Sequence, residues 1–179
     1  MGRRKLTVRE IKRAFATPDA FAGDVTKSPG NWESPEISED FSNKHWKEMV
    51  KGGLIRNRLS LPHFTDEAYR YFLPTYLVVS IGHPEGGEVD GFTFYSLTPP
   101  KDSQSMEMAV FLKRNSGFTK DQLSVIRKFV LRFAEANRAY LSEADKRTED
   151  FWDTYAPPAL MYPERGCLSN TDKKLCQPQ

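Results

Sequence analysis

Cysteine is scarce in this chain, and histidine is nearly as scarce. The two cysteines, Cys167 and Cys176, both fall in the C-terminal tail. They could close a small loop of their own, but they lack the close pairing of a zinc knuckle. No base stands near either one in sequence, and so sparse a usage suits a reducing compartment; free tail thiols are the expectation. The three histidines, His45, His63 and His83, are widely separated. A helical zinc site needs two of them about one turn apart, so the sequence implies no metal. The phosphate-cradling patterns G-x-x-x-x-G-K-[ST] and G-x-G-x-x-G are missing, as is the G-x-S-x-G nucleophile elbow, and no cofactor is implied. No apolar run approaches the ~20 residues of a membrane helix; the nearest, Tyr71 to Ile81, is short and contains Pro74. The opening MGRRKLTVRE lacks a secretory apolar run, and Leu6 stands where N-myristoylation requires Ser or Thr. These readings lead to the expectation of a cytoplasmic protein without a membrane association.

Net charge is also small, at +2, which does not call for a polyanionic partner. Its distribution is uneven. Arg3, Arg4, Lys5, Arg9, Lys12 and Arg13 face only Glu10, and Lys113 to Arg132 is basic apart from Asp121. Glu33 to Asp40 and Glu143 to Asp153 are acidic. Opposite patches of this kind either pair within the fold or are offered to a partner. Glu33, Glu36 and Glu39 read as solvated surface, since a catalytic carboxylate pair needs a burial that sequence does not reveal.

What is present is enough for a core. The 179 residues are 39% apolar and 28% charged, which predicts one globular domain over residues 1–156 followed by an irregular tail, 157–179, after Pro157-Pro158. Helix starts share one pattern. Thr7 with Glu10, and Thr119 with Gln122, form capping boxes, flanked by the apolar pairs Leu6–Ile11 and Phe118–Leu123. Thr65 caps a third start, with Phe64 and Tyr69 flanking it but no boxed partner.

From Thr65 the chain runs through Tyr69, Tyr71, Phe72, Leu73, Tyr76, Leu77, Val78 and Val79, apolar on almost every face. Pro74 interrupts it and predicts a kink, because proline removes a helical donor and crowds the preceding turn. A short helix after Thr7 ends near Thr17-Pro18. Another starts at Ser38 with the stripe Phe41, His45, Trp46, Met49 and Val50, and stops at Gly52-Gly53. Phe21 to Pro35 reads as a loop pinned by Trp32. Phe92 to Leu97 and Met108 to Lys113 read as two strands of a hairpin. The helix from Thr119 carries Leu123, Ile126, Phe129, Val130, Phe133 and Ala134 on one face, and either continues or restarts at Ser142. The predicted fold is therefore α+β, mainly α: four to five helices with a small β-hairpin.

The stretch LSLPHFTDEAYRYFLPTYL, the later FTKDQLSVIRKFVLRF, and the early Ile11-Lys12-Arg13-Ala14-Phe15 resemble a bacterial family known as domain of unknown function 6714. The likeness spans roughly residues 6 to 135 and rests on structural residues, so it implies no activity and no catalytic residues.

With no catalytic pattern in view, the functional expectation is a non-enzymatic protein-binding role in a bacterial cytoplasm. Its immunity-type form neutralises a cognate toxin or effector. The turn-rich loop Gly82 to Gly91 supplies the expected contacts: His83, Glu85, Glu88 and Asp90. One alternative is an enzyme whose site, using His45, His63 or His83 beside a carboxylate, assembles only in three dimensions. The other is a weak nucleic-acid binder working through the basic first helix. That helix reads more simply as the polar face of an amphipathic element, so nucleic acid is disfavoured as a partner. Oligomeric state is not legible.

Overall fold

A computed structural model describes residues 6–27, 34–49, 54, 56–82 and 88–155. Among these residues the chain forms eight α-helices: α1 (Val8–Ala14), α2 (Ser34–Phe41), α3 (Trp46–Met49), α4 (Asp66–Gly82), α5 (Val89–Ser96), α6 (Met106–Ser116), α7 (Lys120–Ala136) and α8 (Glu143–Thr154). Two single 3-10 turns, Leu61–His63 and Arg138–Tyr140, complete the order. No strand occurs among the described residues; an isolated antiparallel bridge joins Thr26 to Phe64.

The expected hairpin is therefore wrong, and the expected four to five helices are too few. Phe92 to Leu97 lies in and just beyond α5, where the buried residues are Val89, Thr93, Phe94 and Leu97. That spacing is helical. The alternation of Phe92 and Phe94 only imitates a two-residue period. The Thr93 hydroxyl donates to the Val89 carbonyl at 2.6 Å, so a residue favoured in strands is satisfied within a helix. Met108 to Lys113 lies in α6. Ser105 caps that helix by accepting the Met108 N–H at 3.1 Å. Met108 and Asn115 are buried, with Phe111 partly so, again at helical spacing.

The helix expected from Ser38 is also divided. It begins earlier, at Ser34, and ends at Phe41, and α3 starts anew at Trp46. Between them Asn43 takes φ 56°, a left-handed conformation that asparagine accepts more readily than most residues. The Asn43 N–H donates to the Phe21 carbonyl at 3.1 Å, and the Phe21 N–H donates to the Lys44 carbonyl at 3.1 Å. The turn is thereby fastened to the loop that precedes α2. Trp46 and Met49 are buried as the apolar stripe predicts. Trp32, Val50, Gly52-Gly53 and the tail after residue 155 lie outside the described residues.

The starts of α1, α4 and α7 agree with the sequence reading. Both expected capping boxes form, at Thr7/Glu10 and Thr119/Gln122, and a third, Ser142/Asp145, restarts the chain as α8. Thr65 accepts the Ala68 N–H at 3.1 Å and donates to the Asp24 carbonyl at 2.7 Å. From there α4 runs unbroken for 17 residues through Pro74 and is buried from Phe72 to Val79. Helices α1, α3, α5 and α6 pack around it, while α7 packs on α1 and α8. Each large apolar side chain buried this way contributes ~1.5–3 kcal/mol. Buried polar groups then fix the connecting segments. Trp46 Nε1 donates to the Phe15 carbonyl at 3.2 Å, Thr75 Oγ1 to the Trp46 carbonyl at 2.7 Å, and Trp152 Nε1 to the Leu97 carbonyl at 2.8 Å.

The charged patches also meet inside the fold. Lys128 of the basic α7 binds Glu10 of α1 at 2.8 Å, Arg127 binds Asp153 of α8 at 2.7 Å, and Arg138 binds Glu149 at 3.1 Å.

Candidate functional site

Asp40, near the end of α2, has both carboxylate oxygens engaged. Arg56 Nη2 donates to Oδ1 at 2.9 Å and Asn57 Nδ2 donates to Oδ2 at 2.8 Å. Asn57 is buried, and its carbonyl accepts the buried Tyr76 hydroxyl of α4 at 2.8 Å. The segment from Arg56 to His63 is thus anchored to the spine on one side and to α2 on the other. Between that segment and α2 lies a groove of about 550 Å3, bordered by Glu36, Glu39, Asp40, Arg56, Leu59 and His63. This volume falls in the ~300–1,000 Å3 range of ligand sites.

The groove carries net negative charge. Arg56 neutralises Asp40, whereas Glu36 and Glu39 are exposed and make no ion pair among the described residues. Leu59 stands at its edge, 49% exposed. The sequence reading treats Glu36 and Glu39 as ordinary surface. What it misses is the partner wall, because residues 56–63 are joined to α2 by bonds from Arg56 and Asn57 to Asp40, remote from it in sequence. The one available signal is the Asp40-to-Asn57 pairing of a carboxylate with a side-chain amide, and nothing local in the sequence announces it.

His45 and His63 lie in different settings. His45 has both ring nitrogens engaged by backbone: Nδ1 accepts the Lys47 N–H at 3.1 Å, so the proton sits on Nε2, which bonds the Thr17 carbonyl at 3.0 Å. Its ring lies 5.8 Å from that of Trp46. It is a half-buried structural residue, as its position beside Trp46 suggests. His63 lines the acidic groove. His83 lies outside the described residues, as does Glu85. Glu88 and Asp90, the other two expected contacts, open α5. Glu88 has φ 50° and its carboxylate stands 3.9 Å from Arg58 Nε, while Asp90 accepts the Gly91 N–H at 2.8 Å. Both are exposed, and neither borders the groove. Among the described residues, no three His, Cys, Asp or Glu side chains converge to hold a metal ion. Nor is any helix there long and apolar enough to cross a membrane.

A second surface lies on α6. Met106, Ala109, Val110 and Leu112 occupy its exposed arc, Met106 at 77%. Clustered apolar exposure of this kind marks contact surfaces more often than scattered single residues do.

A model of a family of unknown function, DUF6714, matches residues 9–156. The chain belongs to that family. The DUF6714 match extends past Ala136, where the sequence resemblance stops, and takes in all of α8. The extension agrees with the packing, because Trp152 is buried and bonded to Leu97. No curated protein and no solved structure matches the chain. DUF6714 membership therefore brings no substrate, partner or catalytic residue with it.

Proposed function

We propose that this member of DUF6714 is a non-enzymatic protein-binding protein of the bacterial cytoplasm, of the immunity type that neutralises a cognate toxin or effector. One observation carries this reading: the α2 groove presents Glu36 and Glu39, without ion-pair partners among the described residues, beside the half-exposed Leu59. Two solvated carboxylates next to an apolar contact fit a partner segment that bears Lys or Arg beside an aliphatic side chain. The charges would guide encounter and fix register, and the apolar contact would lengthen residence.

The test is affinity capture from the native host at native levels, comparing the wild-type chain with Glu36→Lys/Glu39→Lys. The expected result is one protein retained by wild type, retained less as salt rises, and lost on charge reversal. Retention of the same protein by both chains would remove the groove from the proposal, and no retained protein at all would remove the proposal itself. For the immunity form, co-expression with a toxin gene from a neighbouring reading frame should restore growth, and the charge-reversed chain should not.

A second reading has a specific observation behind it. His63 shares the groove with three carboxylates, the arrangement that an acid–base site assembled in three dimensions would need. Turnover of a substrate panel that disappears in His63→Gln, with partner capture intact, would favour that reading over binding.

A further inference from the structure

A hollow of about 370 Å3 opens where the end of α1, the start of α3, the first turns of α4 and the α6–α7 junction meet. It shares no lining residue with the α2 groove. Its two charged lining residues are Arg70 and Glu67.

Gly117 decides where Arg70 lies. The glycine has φ −77° and ψ −5°, a conformation open to any L residue, so the backbone does not require glycine. Space does. A Cβ at position 117 would stand 2.7 Å from Arg70 Nε and 2.8 Å from its Cδ and Cζ. The missing side chain leaves room that the guanidinium fills.

Few of that guanidinium's donors are used. Nη1 donates to the Arg114 carbonyl at 3.2 Å. Nη2 stands 3.5 Å from Glu67, whose side chain is 73% exposed against 25% for Arg70. An exposed pair at that spacing is weak and easily displaced. Arginine has five N–H donors in a fixed fork, and one of them has a firm acceptor. Closing the end of α6 through the Arg114 carbonyl would need a single donor. It would not require a glycine cut away for the whole guanidinium, nor a hollow in front of it.

The other walls define the ligand. Thr119 and Gln122 place the positive end of the 17-residue α7 at the same hollow, which favours negative charge there. Tyr71, half-buried, supplies the aromatic surface, whereas Trp46 and Phe15 border the hollow but are buried at 0% and 4% exposure. The Tyr71 hydroxyl donates to the Asp19 carbonyl and its ring packs on Phe21 and Phe72, so an incoming ring would meet the part of it that stays exposed. We propose that this hollow binds a small aromatic carboxylate, with the carboxylate on the Arg70 fork in place of Glu67 and the ring against Tyr71.

The experiment is a titration of the full chain with 2-naphthoate, followed by two-dimensional amide NMR, with 2-naphthamide as the uncharged comparator. Shifts are expected at Gly117, Thr119, Gln122 and the Trp46 indole, with none from the amide at equal concentration. Arg70→Gln and Gly117→Ala should each weaken binding at least ~10-fold, the scale of one charge-assisted bond. Arg70→Lys keeps a charge and a donor for the α6 end, so it guards against a variant that fails to fold. With a native spectrum it should still bind several-fold more weakly, since an ammonium lacks the fork. Shifts elsewhere, equal binding of the amide, or unchanged affinity in Arg70→Lys would each overturn the proposal. None of these results bears on the α2 groove.

Discussion

Glu10 is shared between its own helix and a distant one. One carboxylate oxygen accepts from both the backbone and the hydroxyl of Thr7 at 2.9 Å, completing the α1 cap, and the other accepts from Lys128 of α7 at 2.8 Å. The Lys128 and Thr7 bonds together hold the Glu10 carboxyl down at about 2. Since the folded value lies below the ordinary 4.5, the stabilisation is complete above 4.5 and declines as pH falls from there toward 2. Both side chains are part-exposed, which limits the pair to about 1 kcal/mol. Lys128→Met should therefore lower the thermal midpoint at pH 7, and the difference from wild type should narrow by pH 3. A difference that stays constant between those two pH values would show that the pair is not the cause.

The groove depends on Asp40. Asp40→Ala removes the acceptor of Asn57 Nδ2, and Asn57 is buried at 5% exposure. Losing a hydrogen bond from a buried amide to a charged acceptor costs ~1–3 kcal/mol. Chemical denaturation should show a loss of that size. The solvated Glu39→Ala should change stability by less than ~0.5 kcal/mol.

Asn43 holds the turn that divides α2 from α3. With φ at 56°, Asn43→Ala should cost ~1 kcal/mol and Asn43→Gly much less, since only the alanine brings a strained Cβ without a local hydrogen bond. Equal losses for the two would locate the cost in the asparagine side chain and not in the backbone. Denaturant midpoints of the two variants distinguish these outcomes.

Trp152 joins α8 to the loop after α5. Trp152→Phe leaves the Leu97 carbonyl without its donor and opens space in a site where the indole is 1% exposed. The combined loss should be ~2–4 kcal/mol, read as a fall in the urea midpoint. A loss under ~0.5 kcal/mol would mean that α8 contributes little to the fold.

Much of the helical framework was legible because its signals are local. A capping box is settled within four residues, so Thr7 and Thr119 could be read as helix starts without knowing what the helices pack on, while Ser142 stayed one of two options. The α4 spine was equally legible, since so dense an apolar run has nowhere to go but the core. The reading failed where two periods compete over a short stretch. Phe92 to Leu97 shows alternation to the eye, but Val89 and Phe133 decide otherwise: the Phe94 ring stacks on Phe133 at 4.3 Å, a contact that sequence does not foretell. Met108 to Lys113 failed similarly, because Phe111 finds Phe151 and Trp152 of α8 at 5.4 and 6.4 Å.

The candidate sites were less legible still. Glu36 and Glu39 become groove residues only when Asn57 binds Asp40 and Tyr76 holds Asn57. Gly117 looks like a helix-end glycine until Arg70 is seen in the space it leaves. The amino-acid sequence by itself determined where α1, α4 and α7 begin, which segment is buried most deeply, and the family to which the chain belongs, all of them matters of neighbouring residues and apolar pattern. Tertiary structure alone decided that α5 and α6 are helices, which opposite charges pair and which stay solvated, and where the two hollows open. Each of those depends on side chains brought together from remote parts of the chain, and their meeting is fixed by packing around α4, not by any local preference.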